Sequence, residues 1–223
     1  MRERGFEVLV APVQRIVPVD LRLPDAAWTR VQAVLVTSGQ ALPALRMVVK
    51  VPGERLLLAV GDATARRARD AGFAAVESAG GDAAALRRLA AARLKPERGK
   101  LLLASGRGQG MELARGLRAD GFRVWRRVAY RAVAARALPD GIERALGDGT
   151  VRAAMFFSAE AARIFRRTLP AGSRDRLREV RALAISRRTV IALDGMGWAE
   201  VVVAASPDAA AMLALLDGAG RDG

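Results

Sequence analysis

One pattern of residues occurs twice in this chain, and it constrains the fold more than any other feature. Each copy has an apolar run that ends in a hydroxyl residue, then a turn that contains a threonine, then a glycine eight residues after that threonine. The threonine and glycine are Thr64 and Gly72 in the first copy, and Thr189 and Gly197 in the second. A strand, a polar turn and a helix recurring in one order predict two related α/β lobes that face each other across a cleft.

Short apolar runs alternate with Ala- and Arg-rich stretches of helical character along most of the chain. Such alternation favours parallel sheets with right-handed crossover connections. The predicted strands are residues 7–12, 33–37, 56–60, 74–77, 100–104, 123–127, 153–157, 181–185 and 200–204. The predicted helices are residues 62–71, 82–94, 110–120, 159–168, 187–193 and 208–217. Three aspartates that precede alanine-rich runs are predicted N-caps, namely Asp62, Asp82 and Asp208.

Two segments alternate polar and apolar residues without a helical pattern, at residues 15–24 and 130–138. We interpret them as the two crossings between the lobes, paired as a short two-stranded ladder. One lobe then comprises residues 19–133. The other is a composite lobe of residues 1–18 plus 134–223.

Composition limits the chemistry that is open to this chain. Apolar residues make up 52% of it, enough for a real core, yet no apolar run approaches the roughly 20 residues that span a bilayer. The N-terminus lacks a signal-peptide apolar region, so a cytoplasmic protein without a membrane partner is expected. There is no cysteine and no histidine. Disulfides, cysteine–metal sites and catalysis by histidine are therefore excluded.

The net charge of +14 comes almost wholly from arginine. A genome rich in G and C explains arginine in place of lysine without any function. A polyanionic small molecule is a second explanation, because guanidinium groups pair well with carboxylates. Nucleic-acid binding is a third, and we rank it last, since there is no basic tail and few aromatic residues that could stack on bases.

A set of short segments follows one fixed order over nearly the whole chain. They are residues 34–38, 59–64, 102–108, 121–124, 128–131, 154–158, 184–185 with Thr189, and 205–208. Through the order of these segments, more than through any single motif, the chain resembles the uroporphyrinogen-III synthase family.

The resemblance implies two flavodoxin-like lobes joined by a two-stranded ladder, with hydroxymethylbilane held between them. This substrate is a linear tetrapyrrole rich in carboxylates. The implied reaction loses water, inverts the last pyrrole ring and closes the macrocycle, as a step of tetrapyrrole and heme biosynthesis. It implies a monomeric lyase without metal or organic cofactor. A non-catalytic, two-lobed small-molecule-binding protein is the alternative.

The sequence departs from the family at two places. Family members usually have a strand and a helix before the segment that is Gly5 to Pro12 here. The first strand and helix of the composite lobe are therefore expected to be missing, which would leave an unpaired sheet edge or an exposed apolar face. The second departure is Ser186-Arg187-Arg188, where the family usually has a Gly-Pro-Thr run before the threonine at Thr189.

Tyr130, the only tyrosine, is the predicted catalytic residue. The family has a tyrosine in this extended segment that faces the cleft and is thought to assist departure of the substrate hydroxyl. A phenol keeps its proton at neutral pH and can donate it to a leaving oxygen. The structural alternative is an aromatic residue that only packs on the ladder.

The predicted substrate-binding residues lie in turns that follow strands, where hydroxyls and free N–H groups bind carboxylates or simply cap helices. One pair of turns has Thr37, Ser38 and Gly39 in one lobe and Ser158 and Ala159 in the other. A second pair of turns has Gly61 and Thr64 in one lobe and Thr189 in the other.

A third turn contains Ser105, Gly106 and Arg107, followed by Gly108 and Gly110. Its Gly-x-Gly-x-Gly spacing does not match a dinucleotide fingerprint. We expect its N–H groups and Arg107 to bind a propionate or acetate, or else the turn is only a flexible surface loop. Among the arginines on the first turns of helices, one or two are expected to contact carboxylates: Arg66, Arg67, Arg187 and Arg188.

Overall fold

The structure is a computed structural model that describes residues 5–49 and 55–216. The chain divides into two compact units. One is Ile16–Ala132, and the other combines Met1–Arg15 with Val133–Gly223. The lobes predicted from the sequence have their divisions at 18/19 and 133/134, and these bounds stay a prediction.

The larger sheet of the described chain has six strands in the order β1-β6-β5-β2-β3-β4. They are β1 Gln14–Pro18, β2 Val31–Val36, β3 Leu56–Ala59, β4 Val76–Ser78, β5 Lys100–Gly106 and β6 Arg123–Ala134. The contacts of β2 with β3, β3 with β4, β2 with β5 and β5 with β6 are all parallel. The central strands are mostly apolar because both of their faces are covered, as in other parallel sheets.

Helices of this unit pack on both faces of the sheet. The elements are α1 Asp25–Trp28, α2 Leu42–Val48, α3 Asp62–Asp70, α4 Ala83–Arg93 and α5 Met111–Ala119, with 3-10 turns at Gly39–Ala41 and Pro96–Arg98. Val34 and Val36 of β2 belong to one apolar cluster, whereas Ala33 and Leu35 belong to another. Since successive side chains of a strand point to opposite faces, these two clusters are the two layers of the core.

The pairing of two extended segments is confirmed, but their bounds are Gln14–Pro18 and Arg123–Ala134 and not residues 15–24 and 130–138. β6 is one strand that pairs in parallel with β5 as far as Tyr130 and then continues beside β1. The N–H of Val19 donates to the carbonyl of Ala129, and the N–H of Ala135 donates to that of Val13, each at 2.8 Å. This register runs in opposite directions along the two strands, so β1 and β6 are antiparallel.

The second unit has a smaller parallel sheet, whose described strands lie in the order β7-β8-β9. They are β7 Ala153–Phe156, β8 Arg181–Ala184 and β9 Glu200–Val203. The helices are α6 Asp140–Gly147, α7 Ala159–Thr168, α8 Arg187–Leu193 and α9 Ala209–Ala214, with 3-10 turns at Ala171–Ser173 and Asp175–Glu179. The rings of Phe156 and Phe165 meet edge-on at 5.2 Å within its core.

The predicted strand at residues 7–12 is wrong, because the described residues 6–13 form no strand. Phe6 packs on the apolar cluster of Leu183, and Val13 packs on the cluster of Phe156. Between them Leu9 and Val10 are 48% and 76% exposed. An apolar run becomes a strand only where a neighbouring strand takes up its N–H and carbonyl groups, and this segment has no such neighbour among the described strands.

The internal repeat is confirmed by matching backbone conformations in the two units. Ser38 after β2 and Ser158 after β7 are both helix N-caps, with φ of −159° and −162°. Gly72 after α3 and Gly197 after α8 both have positive φ, at +91° and +79°. The order β2-β3-β4 in one sheet thus corresponds to β7-β8-β9 in the other.

The turns after β4 and β9, the last strands of the two repeats, each carry an aspartate N-cap, as predicted. A carboxylate oxygen of Asp82 accepts from the N–H of Ala85 at 2.8 Å, and one of Asp208 accepts from the N–H of Ala211 at 2.9 Å. The third predicted cap is wrong, because Gly61 is the N-cap of α3 and Asp62 lies in its first turn.

Candidate active site

Three of the predicted turns meet at one edge of the larger sheet. β5, β2 and β3 are parallel neighbours, so their carboxyl ends lie side by side. The residues that follow or end these strands are Ser105 to Arg107, Thr37 to Gly39, and Gly61 to Thr64. In an open α/β sheet this edge is where ligands bind.

Tyr130 of β6 lies at this edge because it is paired with the last residue of β5. It pairs with Gly106 across the β5–β6 ladder, and its carbonyl accepts a hydrogen bond of 3.0 Å from the N–H of Arg107. Its side chain is 8% exposed, and its hydroxyl donates to Oε1 of Gln109 at 2.9 Å. The phenol therefore lies against the turn that follows β5, with its oxygen at a polar partner.

Ser105 stabilises this turn by a hydrogen bond to its main chain. Its side chain is buried, and its hydroxyl donates to the carbonyl of Gln109 at 3.1 Å. Nη1 of Arg126 donates to the same carbonyl at 3.1 Å. The hydroxyl of Ser105 is thus used inside the turn, and the N–H of Arg107 is used by the carbonyl of Tyr130. The exposed guanidinium of Arg107 remains as the predicted binding group of this turn.

An arginine side chain from a neighbouring helix lies against the turn after β2. Oγ of Ser38 accepts from the N–H of Gln40 at 3.3 Å. A β-carbon at Gly39 would lie 2.9 Å from Cδ of Arg67, a residue of α3. Of the arginines singled out in the sequence, Arg67 is therefore the one whose side chain crosses a predicted binding turn of this unit.

A depression of about 420 Å³ lies between two of these turns. Thr37 lines it on the β2 side, together with Ala83, and residues 108–113 line it on the β5 side. The turn after β3 is held by a hydrogen bond of 3.0 Å from the N–H of Thr64 to the carbonyl of Gly61, and Thr64 is half-buried.

The second unit repeats the arrangement with fewer groups. β7 and β8 are parallel neighbours, so Ser158 and Ala159 lie at the same sheet edge as the turn that leads to Thr189. Oγ of Ser158 accepts from the N–H of Ala161 at 3.0 Å. The hydroxyls of Ser186 and Thr189 are 3.1 Å apart, and Thr189 is buried. Arg187 and Arg188 are exposed at the start of α8.

Sequence reasoning missed two residues of this site, Gln109 and Arg126. Gln109 stands between two glycines in the turn after β5, which marks it as one of the few side chains there. Arg126 has no signal in the sequence, since it lies within a strand among other basic residues. Both are identified by the register between β5 and β6, which places them beside Ser105 and Tyr130.

The chain matches the family model of the uroporphyrinogen-III synthase HemD over residues 1–214. The chain belongs to the uroporphyrinogen-III synthase family. It is accordingly an enzyme of tetrapyrrole biosynthesis, as the sequence predicts. A search of curated protein sequences gives no match.

Solved structures of uroporphyrinogen-III synthases support the fold. The uroporphyrinogen-III synthetase of Helicobacter pylori is 18% identical, with a TM-score of 0.61 over 92% of this chain and 90% of that one. A mutant uroporphyrinogen III synthase of Thermus thermophilus is 24% identical, with a TM-score of 0.48 over 100% of this chain and 92% of that one. The likeness to the Helicobacter pylori protein confirms the mixed α/β architecture, with one large sheet that is mostly parallel and a smaller parallel sheet. None of the described helices has the length and apolar character needed to cross a membrane.

Proposed function

We propose that the protein is a cofactor-independent lyase that converts hydroxymethylbilane into uroporphyrinogen III. The reaction removes one molecule of water, inverts the last pyrrole ring and closes the macrocycle. The match of residues 1–214 to the family model carries this proposal. It favours the enzyme over the non-catalytic binding protein that the sequence leaves open.

In this proposal Tyr130 donates the proton that lets the substrate hydroxyl leave. The carbon–oxygen bond of the hydroxymethyl group breaks, and the phenol proton joins the departing oxygen to form water. The phenol regains a proton when the ring carbon that forms the closing bond loses its hydrogen. Two features support this role: the phenol is held at the sheet edge, and its proton already points to an acceptor, Oε1 of Gln109.

The substrate carboxylates are proposed to bind at the sheet edge of each unit. In the larger unit the groups are Thr37, Ser38 and Gly39, then Gly61 and Thr64, then Gly106 and Arg107. Ser105 contributes by holding the last of these turns. In the smaller unit they are Ser158 and Ala159, with Thr189 shaping its turn through Ser186. Helix N-termini carry partial positive charge that favours a carboxylate at these turns.

Arg67 adds a full positive charge beside Gly39, and Arg107 adds one beside Gly106. A guanidinium group binds a carboxylate through two parallel hydrogen bonds. Two such groups on neighbouring turns favour a substrate with several carboxylates over a neutral one. With the substrate anchored in this way, catalysis comes mostly from holding its reacting ends together.

The deciding experiment supplies enzymatically generated hydroxymethylbilane to the purified protein and separates the uroporphyrinogen isomers. We expect the type III isomer well above the spontaneous type I background. Formation of type I alone would support the non-catalytic binding protein. Retention on DNA at physiological salt would instead favour the nucleic-acid alternative.

The proposal includes a monomeric protein that acts in the cytoplasm. A monomer is the simplest state for a chain that carries both repeats of the pattern. Sedimentation equilibrium at assay concentrations measures the mass, and a value near 23.7 kDa is expected.

A further inference from the structure

The phenol of Tyr130 has its hydrogen-bond partner on another element, the turn after β5. The partner is the side-chain amide of Gln109, at 2.9 Å. The two residues are 21 positions apart in the chain, and the parallel register of β5 with β6 brings them together. This contact has no part in either sheet ladder or in any helix.

The main chain of Gln109 is held by hydrogen bonds, although its side chain is exposed. Its N–H donates to the carbonyl of Gly106 at 3.0 Å. Its carbonyl accepts two hydrogen bonds, from Oγ of the buried Ser105 and from Nη1 of Arg126, each at 3.1 Å. The amide side chain therefore extends towards Tyr130 from a main chain that is held at both ends.

Gly106 leaves room for this contact. A β-carbon there would lie 2.7 Å from Oε1 of Gln109 and 2.8 Å from Cζ of Tyr130. Both distances are shorter than a β-carbon contact allows, so a side chain at position 106 would displace the amide of Gln109, the ring of Tyr130, or both.

We propose that Gln109 is a positioning residue that holds and supports the hydroxyl of Tyr130 during turnover. An amide carries both an acceptor oxygen and a donor nitrogen. In the free enzyme the amide oxygen accepts a hydrogen bond from the phenol hydroxyl. When the phenol gives that proton to the leaving oxygen, the amide nitrogen donates to the phenol oxygen and stabilises its developing negative charge. This inference rests on the proposed catalytic role of Tyr130.

A double-mutant cycle with hydroxymethylbilane as substrate tests the proposal. Gln109→Leu removes both amide groups and is expected to lower kcat by about tenfold, as expected for one lost hydrogen bond, with KM within about twofold. In a Tyr130→Phe background the same change is expected to have no further effect. An equal loss in both backgrounds would mean that Gln109 acts independently of the phenol, which overturns the proposal.

The matched control is Gln14→Leu. Gln14 is an exposed glutamine of β1 outside the site, and this variant is expected to keep wild-type kinetics. Circular dichroism of each variant checks that it is folded. A conservative Gln109→Asn change shortens the side chain and is expected to restore little of the lost rate.

A second measurement is independent of activity. Because the chain has one tyrosine, carbon-13 labelling at Cζ gives a single resonance from Tyr130. Gln109→Leu is expected to shift this resonance, and Gln14→Leu is expected to leave it in place. An unshifted resonance in Gln109→Leu would overturn the contact itself. A shifted resonance together with full turnover of Tyr130→Phe would preserve the contact and overturn the catalytic role of Tyr130, and with it the role of Gln109 in turnover.

Discussion

Gly106 of β5 and Tyr130 of β6 are register partners, and a β-carbon on Gly106 would lie 2.8 Å from Cζ of the tyrosine ring. Gly106 has an ordinary backbone conformation, since it is not among the glycines with positive φ. The constraint on residue 106 is therefore steric and does not come from its backbone conformation. The smallest side chain, a methyl group, would displace the ring, the amide of Gln109, or both.

The change Gly106→Ala is expected to lower both stability and turnover. Overpacking of this kind costs about 1–3 kcal/mol of unfolding free energy. Because the displaced groups are the phenol and its partner, we expect turnover to fall by roughly tenfold or more, a loss typical of misplaced catalytic groups. Denaturant titration and steady-state kinetics measure the two effects. The control is Gly172→Ala, at an exposed glycine with open space around it, and wild-type turnover in Gly106→Ala would contradict the expectation.

Tyr130→Phe is expected to lower turnover several-fold or more while the protein stays folded. The ring remains packed, and only one hydrogen bond, to a partner on an exposed side chain, is lost. Loss of one such bond costs about 1 kcal/mol of unfolding free energy. Type III formation and thermal unfolding are measured on the same sample. Unchanged turnover would remove Tyr130 from the mechanism and leave it as a packed aromatic residue.

Ser38→Ala and Ser158→Ala separate capping from binding. Both serines accept a backbone hydrogen bond as N-caps, so each change is expected to lower unfolding free energy by about 1 kcal/mol. If the same hydroxyls also bind substrate carboxylates, KM rises by several-fold in each variant. Kinetics against hydroxymethylbilane give KM, and urea titration gives stability. A KM that stays at the wild-type value in both would leave the serines as caps alone.

The aspartate caps predict a dependence of stability on acid pH. The N–H of Ala85 lowers the pKa of the Asp82 carboxyl below its ordinary value of 3.8. The hydroxyl of Ser206, followed by the N–H of Ala211, lowers the pKa of Asp208 in the same way. A carboxyl with a lowered folded-state pKa stabilises the fold above its unfolded pKa, and that contribution disappears as pH falls through the folded value.

Asp82→Ala is therefore expected to be less stable than the wild type at pH 7, with the difference shrinking as pH falls below 3.8. Asp82→Asn keeps a capping oxygen and is expected to retain most of the stability at pH 7 with a weaker dependence on pH. Thermal unfolding measured from neutral to acid pH checks both. A constant difference between Asp82→Ala and the wild type across this range would contradict the charge-dependent cap.

Local signals account for the elements that were predicted well. The bounds of α7 and α8 agree with the sequence because each begins directly after a serine N-cap, and α7 is amphipathic. The helices α2 and α6 were missed because their N-cap residues, Ala41 and Pro139, offer no side-chain cap. The apolar run at residues 7–12 has strand composition, yet composition alone does not provide the neighbouring strand that it needs.

The sequence by itself determined most of the strands and helices, the duplication and the turns that carry hydroxyls. These depend on periodicity, capping and spacing, which act over a few residues. Only the tertiary structure decided which of these turns are neighbours, that Arg67 crosses Gly39, and that Gln109 meets Tyr130. The physical reason is that sheet order and register are set by packing between distant segments: β5 lies between β2 and β6, and its register with β6 places Gly106 beside the phenol.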